Sequence, residues 1–275
     1  MRTKLNEKEK KLLNNLRQII EFGRKQISGQ KYDLEKSTDK QNILFMTFGA
    51  VNNYTESIYL LCKSVKPQPA IVLLRSIFEV WINTFYLLST RSKKRLALFY
   101  MEDAQNKIKL SNGLLDFIKK YPSKRDRDPL TTEGNLKQVK SDKEKDILAM
   151  IKRFKLKKND KWPNLPSRAI ACDKISDRRR PKKLRKGTFE YYYHHLYRYF
   201  SSYTHLNAQG LNNFLKPRPE GGYYLVVSQS ADLVERVLSS AFVFYLFLLG
   251  YMKKKGLLPR SLKLGKFRKM AQKMS

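Results

Sequence analysis

Arg198 and His205 lie seven residues apart at the end of the most aromatic stretch of the chain, EYYYHHLYRYFSSYTH (190–205). Histidine is the side chain best suited to moving protons near neutral pH. The arginine fork can hold a phosphate and stabilise the charge that develops on it. Seven residues are close to two helical turns, so on a helix the two side chains share a face. That face also takes in Tyr191, His195, Ser202 and Gln209, at steps of three or four. All three histidines of the chain, His194, His195 and His205, fall in this segment. A second polar stripe interrupts the apolar run LLRSIFEVWIN, where Arg75, Glu79 and Asn83 recur every four residues. Charge inside an apolar helix is expensive unless paired. The stripe reads either as an ion pair that fixes helix register or as a site in which Glu79 holds Arg75 ready for an anion. If the two stripes face each other, Arg75, Arg198 and His205 surround one pocket, with His195, Ser202, Glu79 and Asn83 in support.

Helices must position these residues. Only 12 glycines and 10 prolines occur in 275 residues, and long segments lack both, which favours helix over a turn-dense β architecture. Apolar periodicity predicts an amphipathic basic helix over 4–30 and further helices over 40–64, 69–90 and 92–119. KPQP (66–69) separates the second from the third. The 69–90 helix is nearly all apolar and should be central. Thr188 is a candidate N-cap for a helix running to about 215. Gly221-Gly222 precedes a β-prone run, which suggests a short extended hairpin-like loop. A last core helix covers about 230–255. The expected fold is all-α: a helical bundle made of residues 1–118 and 188–256, a basic and partly irregular insertion at 119–187, and a basic tail at 257–275. Within the insertion, the only helix expected is a short one near 146–156.

Charge narrows the partner. The chain carries 57 Lys/Arg against 24 Asp/Glu, a net charge of +33 and a pI near 10.1. Such an excess repels itself in a compact protein and is neutralised by a polyanion, either nucleic acid or an anionic membrane. Residues 119–186 alone hold 24 Lys/Arg and 9 Asp/Glu. Within them Arg178, Arg179, Arg180, Lys182, Lys183, Arg185 and Lys186 form a dense run suited to phosphates. Residues 253–275 hold 9 Lys/Arg and no acid. The aromatic stretch 190–200 reads either as a stacking platform for bases or as packing.

Other chemistries find no support. No GxxxxGK[ST], GxSxG or HExxH occurs, and paired acids suited to two metals are missing from the apolar helices. Cys62 and Cys172 belong to no ligand cluster, so neither metal nor cofactor is expected. Cys62 reads as a buried, reduced thiol. The N-terminal residues have no apolar secretory core. VLSSAFVFYLFLLGYM (237–252) has 16 uncharged residues, short of the roughly 20 that a membrane span needs. It reads as a buried helix of a cytoplasmic protein.

Arg198 and His205, with six residues between them, match the Arg-x(4–6)-His motif, and on this the chain resembles the HEPN superfamily (higher eukaryotes and prokaryotes nucleotide-binding domains). PAIVLLRSIFEVWINTFYLL and YFSSYTH also resemble a family of uncharacterised bacterial helical proteins that share an LLRxxxE helix and a later SxxxH segment. The likeness covers about residues 45–115 and 188–255. It implies a helical bundle and a metal-independent endoribonuclease of antiviral defence or toxin systems, restrained in some cases by an antitoxin or held in a defence complex. It implies a homodimer in which Arg and His of two protomers build one site. His205 would handle the proton and Arg198 would hold the scissile phosphate of RNA. In this chain Tyr199 follows Arg198, where the motif commonly has a polar residue. Two other readings stay open: a non-catalytic nucleic-acid-binding protein, and a subunit that docks on a nucleoprotein partner or an anionic membrane.

Overall fold

A computed structural model describes residues 4–28, 35–90, 93–121, 132–157, 159–178, 187–204, 215–225, 231–259 and 261–274; of residues 202–204, 215–217, 223–225, 231 and 232 it describes the backbone alone. The fold is an all-α helical bundle carrying one short hairpin among the described residues. The chain divides into two compact units, Met1–Leu88 with Leu165–Ser275, and Ser89–Asn164.

In the first unit, α1 (Glu7–Ser28) packs on α2 (Asp39–Lys63) and on α9 (Ala231–Lys254). α3 (Pro67–Leu88) touches α2, α9, α6 (Leu165–Ser176) and α8 (Arg198–Thr204). The central position expected for the nearly all-apolar 69–90 helix is therefore what the structure has. Two capping boxes fix helix starts. At α1, Asn6 Oδ1 accepts from the Glu9 amide and Glu9 Oε2 accepts from the Asn6 amide, both at 2.7 Å. Thr38 and Gln41 do the same at α2. A buried Thr47–Thr84 hydroxyl pair at 2.9 Å ties α2 to α3. α1 and α9 come close enough that a Cβ at Gly23 would stand 2.8 Å from the Tyr245 ring. Tyr245, fully buried, donates to Asn52 Oδ1 of α2 at 2.9 Å.

Around α3 the core is aromatic. Trp81 stacks on Phe189 with centroids 4.3 Å apart, and Phe78 lies 5.6 Å from Phe244. Cys62 and Cys172 are both buried and free, and burial pushes the Cys62 thiol up to about 12. α3 and Leu233–Lys254 of α9 are long and apolar enough to cross a membrane; 56% and 61% of their apolar windows are buried inside the fold. β1 (Leu215–Pro217) and β2 (Tyr223–Leu225) pair antiparallel, Leu215 opposite Leu225. The reversal between them needs left-handed backbone at Gly221 and Gly222, with φ +96° and +80°.

The second unit pairs α4 (Lys93–Lys120) with α5 (Glu133–Phe154) around Ala97, Leu98, Met101 and Leu156, with Trp162 packed against them.

Three boundaries differ from the sequence reading. α4, expected in the bundle, belongs with α5. The region 119–187, expected as partly irregular, contains two helices: α5 is 22 residues long, and α6 packs on α3. Low apolar content suggested a loop, but lysine is a good helix former and needs no buried face. The exposed side of α5 carries local pairs such as Lys137–Glu133 and Lys143–Asp146. The residues expected as a basic tail are also anchored. Leu257, Leu258, Leu262, Leu264 and Phe267 are buried, and α10 (Gly265–Gln272) sets Phe267 4.9 Å from Phe22 of α1.

Candidate active site

The segment that bears Arg198 is not one regular helix. α7 (Thr188–Tyr192) runs into a π-helical turn (Tyr193–Tyr197), which continues as α8. A π-turn inserts one residue into the helical count and turns every later side chain relative to earlier ones. The stripe expected from a uniform 3.6 period is broken there. Tyr191 and His195 still meet, with ring centroids 4.4 Å apart, although His195 lies within the π-turn. Beside the aromatic contacts of Phe189 and Tyr192, the polar side chains that reach α3 are those of Tyr197 and Ser201.

Arg75 reaches both. Its Nε donates to Ser201 Oγ at 3.1 Å and its Nη2 to Tyr197 Oη at 2.5 Å, while its guanidinium carbon lies 4.5 Å from the centre of the Tyr197 ring. The polar stripe of α3 thus meets the Arg198 segment through Arg75. The partners are a tyrosine and a serine; Glu79 is half-buried beside them. Burial first, and Glu79 second, push the Tyr197 hydroxyl above its ordinary range, and Arg75 partly offsets this. Tyr193 stacks on Tyr197 at 5.5 Å. Asn83 Oδ1 is buried with no hydrogen-bond partner among the described residues.

A second anchor holds the start of the segment. The structure corrects the Thr188 cap: the capping position is Gly187, whose backbone is left-handed at φ +51° and which supplies no side chain. The buried Asp173 of α6 takes over. Its two carboxylate oxygens accept from the Phe189 and Glu190 amides at 3.0 and 2.8 Å, and Asp177 accepts from the Gly187 amide at 3.2 Å. Burial holds the Asp173 carboxyl above the usual range, with smaller contributions from Asp177 and Glu190, against the pull of the two amides. Ile170, Asp173, Lys174, Arg178, Gly187 and Glu190 line a cavity of about 490 Å³ here.

Between these anchors Arg198 is exposed and has no hydrogen bond or ion pair among the described residues. His194 and His195 are exposed as well. Ser202 has only its backbone described. His205, Gln209 and the basic residues Arg179, Arg180, Lys182, Lys183, Arg185 and Lys186 lie outside the described residues; Arg178 is exposed at the edge of that run.

Sequence reasoning passed over Tyr197, Ser201 and Asp173. The first two sit four residues apart on the α3-facing side, a spacing visible in the sequence but hidden by the Arg–His stripe. Asp173 caps a helix 16 residues away, and no local pattern marks such a partner.

Fold and site together define an α-helical bundle protein that displays an arginine, unpaired among the described residues, on a helical segment braced from α3 and α6. Residues 41–223 match the family of unknown function DUF5677, and the chain belongs to that family. No curated protein and no solved structure matches it.

Proposed function

We propose that the protein is a HEPN-like, metal-independent endoribonuclease that works as a homodimer in defence or as a toxin. The observation that carries the reading is Arg198, exposed and unpaired among the described residues, on a helix whose start is tied down by Asp173 and whose inner side is tied down by Arg75. A rigidly held arginine with a free fork is a receptor for a phosphate. His205 stands seven residues further along the sequence and supplies proton transfer.

In this reading the ribose 2′-hydroxyl attacks the adjacent phosphorus. His205 takes the hydroxyl proton as the new O–P bond forms. Arg198 holds the non-bridging oxygens as their charge grows. The bond to the 5′-oxygen breaks and that oxygen takes a proton from the second protomer's copy of His205, giving a 2′,3′-cyclic phosphate and a 5′-hydroxyl end. The second protomer's copy of the motif completes the site.

Incubation with single-stranded RNA in EDTA tests this. Wild type is expected to cleave. His205→Ala and Arg198→Ala are expected to lose at least about a hundredfold in rate, while His205→Ala keeps RNA affinity. RNA binding with no cleavage at any pH would make the protein a binding module. Cleavage that survives in His205→Ala would remove the histidine from the mechanism.

A further inference from the structure

The outer face of the Arg198 segment has a feature that the phosphate chemistry does not use. Tyr191 is 56% exposed, and its ring lies 4.4 Å from that of His195, with 36° between their planes. A tyrosine so open contributes little to a core; beyond the edge-on contact of Tyr191 with Tyr192 at 5.6 Å, the two adjoining rings leave π-surface exposed among the described residues. Beyond Arg198, Tyr199 is 37% exposed and carries the guanidinium of Arg236 from α9 at 5.3 Å from its ring centre. Arg236 is exposed and has no ion-pair partner among the described residues, since the neighbouring Glu235 pairs with Lys8. An aromatic pair thus precedes Arg198 along the segment, and a second free arginine stands beside the residue that follows it. Aromatic faces interleaved with arginines fit single-stranded nucleic acid, whose bases are free to stack and whose successive phosphates need successive cations.

We propose that Tyr191, His195 and Arg236 form the nucleotide subsite next to the scissile phosphate, and that it selects single-stranded RNA: a base stacks on the Tyr191–His195 pair, and Arg236 holds the adjoining phosphate. This rests on the reading of Arg198 as the phosphate receptor. It does not depend on whether the phosphate is then cleaved. Duplex RNA keeps its bases stacked within the helix and cannot present a face to Tyr191. The subsite therefore discriminates strandedness without reading sequence.

The test uses the intact wild-type protein and a fluorescein-labelled 2′-O-methyl oligouridylate, which lacks the nucleophile and cannot be cut. Its affinity is compared with that of a matched oligomer of abasic spacers and with that of duplex RNA. The base-bearing strand is expected to bind at least about tenfold more tightly than the abasic one. Tyr191→Ala should abolish that ratio, Tyr191→Trp should retain it, and duplex affinity should stay the same in both. Arg236→Gln should keep the ratio but flatten the dependence of log K on log salt by about 0.7. The proposal is overturned if Tyr191→Ala keeps the ratio or weakens all three ligands alike. It is equally overturned if Tyr191→Ala leaves RNA affinity intact but changes the protein's mass in solution, because the rings would then dock protein. Failure of the cleavage reading shows separately, as an intact 2′-hydroxyl RNA in EDTA.

Discussion

Arg75 shows how one residue can join partners that the sequence places 122 and 126 residues away. Its fork meets an oxygen on each of Tyr197 and Ser201, and its plane lies over the tyrosine ring. Arg75→Ala is expected to destabilise the protein by about 1–3 kcal/mol, because charge-assisted hydrogen bonds are lost at a part-buried contact. Arg75→Lys should recover only part of this, since a single ammonium cannot bond both oxygens and lie flat on the ring. Urea unfolding of the three proteins measures it; equal midpoints for wild type and Arg75→Ala would deny the bridge. Asp173 yields a prediction with a sign. Its folded carboxyl titrates above its ordinary value, so the folded state favours the protonated form. Its contribution to stability is then fully present below about pH 4, the ordinary aspartate range, and is lost as pH rises through the folded value. The difference in thermal midpoint between wild type and Asp173→Asn should therefore narrow as pH is raised from 3.5 to 6. A difference that widens over that range would contradict the assignment of burial as the dominant cause.

At the scale of elements, close helix approach seats α1 against α9, and Gly23 shows its requirement. A methyl group there would meet the Tyr245 hydroxyl and ring edge. Gly23→Ala should cost about 1–3 kcal/mol as an overpacked contact, although alanine favours helix by about 1 kcal/mol over glycine. Tyr245→Phe removes the nearest atom, so the double variant should lose less than the sum of the single losses, and a double-mutant cycle measures that coupling. Helix identity was legible in the sequence because apolar periodicity is a property of each segment by itself: α1, α2, α3 and α9 were all placed. What a segment packs against was not. α4 has the same kind of stripe as a bundle helix, and nothing in its spacing says that the stripe is filled by α5 and Trp162. The site divides in the same way. Arg75 and the 190–205 segment were visible as polar stripes on apolar or aromatic ground. The π-turn at Tyr193–Tyr197 was not, because a one-residue change of register leaves no composition signal, and it decides that Tyr197 and Ser201 are the residues that meet Arg75.

The whole molecule is defined by its charge. Both compact units are basic; Ser89–Asn164 alone holds 21 Lys/Arg against 10 Asp/Glu. Most of those among the described residues are exposed, and the ion pairs at the surface of α5 are worth little each. They cannot cancel an excess of +33. If the charge exists to meet a nucleic acid, binding must release counterions in proportion to the phosphates neutralised, about 0.7 per phosphate for a single strand. Contact with four or more phosphates makes log K fall against log salt with a slope of roughly −3 or steeper. Measured between 50 and 300 mM salt, single-stranded RNA affinity should follow such a line, and the glutamine variant of Arg236 should give a slope shallower by about 0.7, the share of one phosphate. A slope near zero would mean that the charge is merely solvated. Vesicles of anionic lipid provide the control for the other polyanion. If they sediment the protein at a salt concentration that has already released RNA, and RNA in excess fails to compete it off, the basic surface belongs to a membrane and the ribonuclease reading loses its substrate.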